Sequence, residues 1–430
     1  MLKILFSITF LLVSFYAFSQ EPDVTFMSNI QGIKLNIQGN QLGYPIISLN
    51  SSELLELHFD DMDGRVKNYY YTFQLCDADW TPVNLSTFDY LKGFSQIRIN
   101  QYRQSSISQT KYVHYQAVLP DRNCMPVKSG NYMLKVFLDG DQENLAFTRR
   151  ILVYEKLADV GLSITQPYNS ELFKTHQKIS FQVNKSQLNV VNPVQQVKAV
   201  VLQNFRWDNA KINISPTFIR NNMMEFNDEN TLIFPAGKEY RWADLRSFRL
   251  QTDRVAKAEY IPGNNQIYLQ TDAERTQQRY IRFTDYNGFY FIESTEVSNP
   301  WWQTDYAWVH FTFVPKGNQP FPDKKLFVVG EMNHYNLNDS SAMSYDATKG
   351  VYEKTLYLKQ GYYSYTYVTR DTKIRKNSEA QTEQTDGNYW ETENDYTVLI
   401  YYRSLSGRHD ELIGVSTVNS LGSRRLDFNR

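Results

Sequence analysis

Three carboxylates fall within Asp60-Asp61-Met62-Asp63-Gly64, an acidic run closed by a glycine. A calcium loop needs six or more oxygen ligands, with a further acidic residue supplied downstream. Here the chain continues Arg65-Val66-Lys67, which puts positive charge where a ligand belongs, so the run reads as a hairpin turn. The histidines His58, His114, His176, His310, His334 and His409 are scattered; there is no HExxH pair and no CxxC, so the local spacing of a zinc site is missing. His58 and His310 lie in strand-like stretches and read as sheet residues. The chain carries no glycine-rich phosphate loop and no nucleophile elbow, and no pair of carboxylates stands out as a glycosidase dyad. The expected set of catalytic, cofactor-binding and metal-binding residues is therefore empty, and no cofactor is expected.

Aromatic side chains offer a second kind of chemistry. Trp301-Trp302, Tyr306 and Trp308 have the makeup of a sugar-stacking or partner-anchoring cluster. Trp308 lies in an alternating strand, which favours a core anchor of a β-sandwich; Tyr362, Tyr363, Tyr365 and Tyr367 read the same way. Cys76 and Cys124 have two readings. In an exported protein they can pair; otherwise one is a buried strand cysteine and the other a free loop cysteine.

Export is what the N-terminus indicates. Lys3 precedes an apolar run from Ile4 to Phe18, and Ala17-Phe18-Ser19 offers small residues for cleavage before Gln20. Residues 1–19 thus read as a signal peptide, with a core shorter than the ~20 residues of a spanning helix. No cysteine follows to carry a lipid, and no later segment suits membrane insertion. The 45 basic residues are balanced by 46 acidic ones, which argues against a nucleic-acid partner.

The elements that would position these groups are strands. Apolar and polar residues alternate with period two in Met133–Leu138, Trp308–Val314, Tyr352–Leu358 and Tyr362–Val368. Turn pairs punctuate them, including Asp63-Gly64, Asp139-Gly140, Asn287-Gly288, Lys349-Gly350 and Asp386-Gly387. No long amphipathic helix is legible. The expected fold is all-β, a tandem series of antiparallel immunoglobulin-like or early-set β-sandwich domains. The expected units are an N-terminal sandwich over 24–154, a linker at Glu155–Asp159, a middle sandwich over 160–314 and a C-terminal early-set-like sandwich over 324–403. Pro315, Pro320 and Pro322 mark the last boundary, and 404–430 reads as a polar tail.

Two resemblances sharpen the functional reading. Leu326–Asn333, Met343–Asp346 and Leu358–Tyr363 resemble early-set modules that bind starch-like glycans, except that His334-Tyr335 stands where those modules usually carry Trp. Taken end to end, the chain resembles the plug protein family of the type IX secretion system of Bacteroidota. The first unit carries Gly39–Pro45, Phe59–Gly64 and the block Tyr69–Phe94, the most specific part. The second carries Phe234–Arg241, Asp285–Gly288 and Asp305-Tyr306-Ala307. The third carries Gly387-Asn388-Tyr389, Asn394-Asp395-Tyr396 and Tyr401-Tyr402-Arg403, followed by Asp410–Gly414. The resemblance implies a non-enzymatic periplasmic protein at the periplasmic face of the outer membrane. It would bind the periplasmic opening of the outer-membrane translocon β-barrel and seal it when idle. It assigns no contact residues. The alternative expectation is a secreted glycan-binding or glycan-processing β-sandwich protein.

Overall fold

The structure is a computed structural model describing residues 22–188, 190–373 and 380–422. The expected signal peptide and the last eight residues lie outside the described residues. Within them the chain is almost wholly β, with helices of no more than four residues.

The first sandwich follows the alternating pattern directly. One sheet is built around Tyr69–Cys76 and Gly130–Leu138, paired antiparallel from Tyr69 against Leu138 to Cys76 against Asn131. The other is built around Ile30–Ile37, Leu55–Asp61 and Val113–Leu119. Every second residue faces inward. Tyr71, Phe73, Leu134 and Val136 from one sheet therefore meet Leu35, Leu57, Phe59 and Tyr115 from the other in one core.

The second sandwich is discontinuous. Asp159–Thr165, His176–Asn184 and Met223–Phe226 form one sheet. The other joins Val197–Gln203 to Asp395–Tyr402 and Glu411–Asn419, strands from near the end of the chain. Its core unites Ile179, Phe181 and Phe226 with Tyr396, Val398 and Ile400. The chain leaves this sandwich after Ile233–Pro235, builds a third and returns at Asp395.

The third sandwich packs the sheet of Tyr306–Val314 and Val351–Lys359 against the sheet of Tyr362–Asp371, which pairs with Arg241–Asp244 and Lys324–Val329. Phe311, Phe313, Tyr365 and Tyr367 share its core.

This grouping corrects the expected boundaries. Strands Tyr306–Val314 and Val351–Lys359 lie side by side, so no domain ends between 314 and 324. The proline segment there is a loop inside the third sandwich, with a 3-10 turn at Lys316–Asn318. Asp395–Tyr402 belongs with the second sandwich, not the third. The expected polar tail contains Glu411–Asn419, a strand with buried Leu412 and Ile413. The linker at Glu155–Asp159 is tied to that strand, since the N–H of Glu155 donates to Leu412 (2.9 Å) and that of Leu157 to Ile413 (2.9 Å).

Sandwiches one and two also share an apolar seam. Cys76, Met133 and Leu152 meet Val200, Leu202, Leu399, Tyr401 and Leu412 there. The strands at this seam are buried on both faces, which is why alternation gives way to near-continuous apolar runs such as Val398-Leu399-Ile400-Tyr401.

Candidate functional site

Several of the motifs that distinguish this sequence converge on the junctions between sandwiches, while the block Tyr69–Phe94 builds the core of the first. Where the chain leaves the second sandwich and where it returns, Asn394 ties the crossing together. Its amide nitrogen donates to the Ala236 carbonyl (2.9 Å) and to Gln177 Oε1 (3.1 Å), and its Oδ1 accepts from Asn204 (2.8 Å). The Gly237 N–H donates to Asn388 Oδ1 (2.9 Å), and the Tyr389 N–H returns a bond to the Gly237 carbonyl (2.9 Å). Phe234–Arg241, Gly387-Asn388-Tyr389 and Asn394-Asp395-Tyr396 are thus the two passes of one crossing, far apart in sequence.

A buried polar clamp joins the first sandwich to the third. Asp60, on Leu55–Asp61, accepts bonds from His114 Nδ1 (2.7 Å), Tyr306 Oη (2.6 Å) and the Lys359 ammonium. Asp60, His114, Tyr306 and Lys359 are all buried. Burial alone would raise the Asp60 carboxyl, but Lys359 and His114 outweigh it and hold the group below the usual carboxylate range. This bonding sets the imidazole tautomers. His114 Nδ1–H donates to Asp60, so His114 Nε2 accepts from His58 Nδ1–H (3.1 Å). His58 Nε2 is then left without a hydrogen-bond partner among the described residues. Burial, with His114 and Lys359 close by, pushes His58 down to about 3, so it is neutral at pH 7. Trp301 of the third sandwich stacks on the His58 ring at 3.7 Å. Asp305 completes the contact by accepting from the backbone N–H groups of Gln109 (3.0 Å) and Thr110 (3.1 Å).

A second ion pair lies beside the clamp. A register shift between Gln31 and Lys34 re-aims the strand at Gly32, whose φ of 58° suits glycine. Lys34 then reaches Glu331 at 2.6 Å and the Tyr290 carbonyl at 2.7 Å. The Gly39–Pro45 motif reaches both the third sandwich and the second. The Gln41 side chain pairs with both the N–H and the carbonyl of Ile292 (2.8 and 3.0 Å), and Tyr44 stacks on Phe205 at 4.3 Å. Between the first and second sandwiches, Asp410 accepts from the Ala78 N–H (3.1 Å) and from Arg403 (2.7 Å).

The residues singled out by sequence find other work. Asp60 and Asp61 sit on opposite faces of one strand; Asp61 accepts from Asn29 (2.7 Å) and Tyr69 (2.9 Å) and pairs with Lys67 (3.0 Å). Cations and donors thus hold the carboxylates that a calcium ion would need to gather. Trp301 packs against the core of the third sandwich and also bridges to His58 of the first, and Trp308 stands 42% exposed against Tyr357. Tyr363, Tyr365 and Tyr367 are core residues. His334 and Tyr335 adopt left-handed backbone conformations, and Tyr335 is buried under the Arg206 guanidinium at 4.5 Å. Turned into the junction, it presents no stacking face to a glycan. Cys76 and Cys124 are both buried and unpaired, and they pack into different apolar clusters. Sequence reasoning gave Lys34, Lys359 and Glu331 no role of their own. Their one local signal is a charged residue within or beside an apolar strand.

Bonded in this way, the charged groups tie the three sandwiches to one another. Among the described residues, neither His58 nor His114 bonds a hydroxyl or thiol nucleophile, and no helix is long and apolar enough to cross a membrane.

Comparison with known proteins adds three findings. A family model described as the type 9 secretion system plug protein 1st domain matches residues 30–155, the span of the first sandwich. A crystal structure of a hypothetical protein from Parabacteroides merdae ATCC 43184 superimposes with a TM-score of 0.88 at 30% identity, covering 93% of this chain and 99% of that one. No curated protein matches the chain.

Proposed function

The chain belongs to the type IX secretion system plug protein family, and from that membership we propose that it is a non-enzymatic periplasmic plug. It binds the periplasmic opening of the outer-membrane translocon barrel and seals it when no cargo is passing. The observation that carries this reading is the family match over the whole first sandwich. The buried junctions support it physically. A barrel wide enough for protein cargo leaks small solutes unless a stiff body closes it, and a chain of loosely hinged domains would not hold a seal.

Binding of this kind requires a protein–protein interface. A stable one buries on the order of 800 Å² on each partner, a small share of the 22148 Å² that this chain exposes. On the first sandwich, Phe88 and Phe94 are exposed apolar side chains of the type that anchors such contacts. Tagged protein recovered from detergent-solubilised outer membrane is expected to bring the idle translocon with it, and Phe88→Glu with Phe94→Glu to reduce that recovery. Tagged protein that recovers no translocon barrel would count against the plug. Against the glycan reading, Tyr335, in the His334-Tyr335 pair that stands where early-set modules carry Trp, is buried in the junction.

A further inference from the structure

We infer that the cleft between the first and third sandwiches binds a short peptide, or a peptide-like molecule, bearing a free carboxylate, with Arg149 as the anion receptor. The cleft has a volume of about 640 Å³, within the range of small-molecule sites, and lies at a domain boundary where such sites concentrate. Ile30, Ile33 and Leu358 give it apolar walls, and Asn336 and Asn338 stand exposed at its mouth.

Charge is the informative feature. Arg149 and Lys359 line the cleft, with Lys34 and Arg150 close by. Lys359 pairs with Asp60, Lys34 with Glu331 and Arg150 with Asp23. Arg149 lines the cleft, is 5% exposed and has no carboxylate within ion-pair distance among the described residues. Its Nη1 donates to the carbonyls of Thr148 (2.6 Å) and Val24 (3.3 Å), and its Nη2 to Thr25 Oγ1 (3.3 Å). Its Nε is buried and has no partner among the described residues. A desolvated guanidinium held only by neutral oxygens is costly, and an arriving carboxylate supplies both the missing charge and the missing acceptor. One unpartnered N–H and one cation without an ion-pair partner suit a monoanion. Asp23, which lines the same cleft, repels any anion there and a phosphate dianion about twice as strongly as a carboxylate. The exposed amides of Asn336 and Asn338 can pair with peptide groups trailing from that carboxylate.

Calorimetric titration of the purified full chain with acetyl-Ala-Ala-Ala, its C-terminal amide and inorganic phosphate tests this. The free acid is expected to bind, with the amide weaker by roughly tenfold or more, the effect of losing one charge-assisted hydrogen bond. Arg149→Gln should erase the difference between acid and amide. Asn336→Asp, at an exposed position that leaves the fold intact, should weaken the acid more than the amide. Equal binding of acid and amide, phosphate binding in preference to the peptide, or no heat from the acid at millimolar concentration would each overturn the assignment. The titration needs no translocon, so its outcome and that of the plug reading are separable.

Discussion

Replacing Asp60 with Leu should uncouple the first sandwich from the third. The carboxylate is buried and serves three donors at once, His114, Tyr306 and the Lys359 ammonium. Without it, the Lys359 ammonium stays desolvated, with the Trp301 carbonyl as its remaining hydrogen-bond acceptor. Breaking one side of a buried ion pair typically costs about 3–5 kcal/mol, whereas replacing both partners with apolar residues of similar size is often close to neutral. Asp60→Leu is therefore expected to destabilise by about 3–5 kcal/mol, and the double variant with Lys359→Met to recover most of that loss. Urea unfolding followed by tryptophan fluorescence is the assay, because Trp301 lies on the clamp and reports its opening. The wild type should unfold with the first and third sandwiches together, and Asp60→Leu should show the fluorescence change before the global transition. The reasoning fails if the single variant loses less than about 1 kcal/mol, or if the double variant is destabilised by the sum of the two singles.

Other perturbations follow from the same junctions. A Cβ at Gly32 would lie 2.7 Å from Tyr306 Oη on a backbone with φ of 58°, so Gly32→Ala should lower stability by about 1–3 kcal/mol in the same unfolding assay. Burial, joined by Glu393 and Glu239, pushes the Asp285 carboxyl up to about 7. A folded-state value raised this way contributes stability below the unfolded value near pH 4 and loses it as pH rises through 7. Asp285→Asn should therefore stabilise the protein at pH 8 by about 1–2 kcal/mol and flatten the decline of its melting temperature between about pH 4 and 7. Burial pushes the Cys76 and Cys124 thiols up to about 12, so native protein should leave a thiol reagent unreacted, and denatured protein without added reductant should titrate both.

Much of the fold is legible because period-two alternation is a local property. Tyr71 and Phe73 announce an inward face, and Asp139-Gly140 announces a turn, from residues that are neighbours in the chain. The insertion of the third sandwich is not legible in that way. Nothing near Tyr396 or Ile400 indicates that their partners lie at Val197–Gln203, and a proline-rich loop has the same composition inside a domain as between two. The clamp is hidden for a related reason: Asp60 and Lys359 are separated by 299 positions, and each alone reads as a surface charge. The family resemblance reached further than the residue-by-residue reading, because several of its motifs mark the junctions. Gly39–Pro45, Asp285–Gly288 and Asn394-Asp395-Tyr396 are short and polar, and their chemistry makes sense only after the sandwiches have been brought together.

The sealing role is tested most directly by outer-membrane permeability in cells lacking this protein, the translocon barrel, or both. Uptake of a large dye or antibiotic that intact outer membrane excludes should rise when this protein alone is deleted and return to the wild-type level when the barrel is deleted as well. Uptake unchanged in the single deletion, or a leak that persists without the barrel, would contradict a plug.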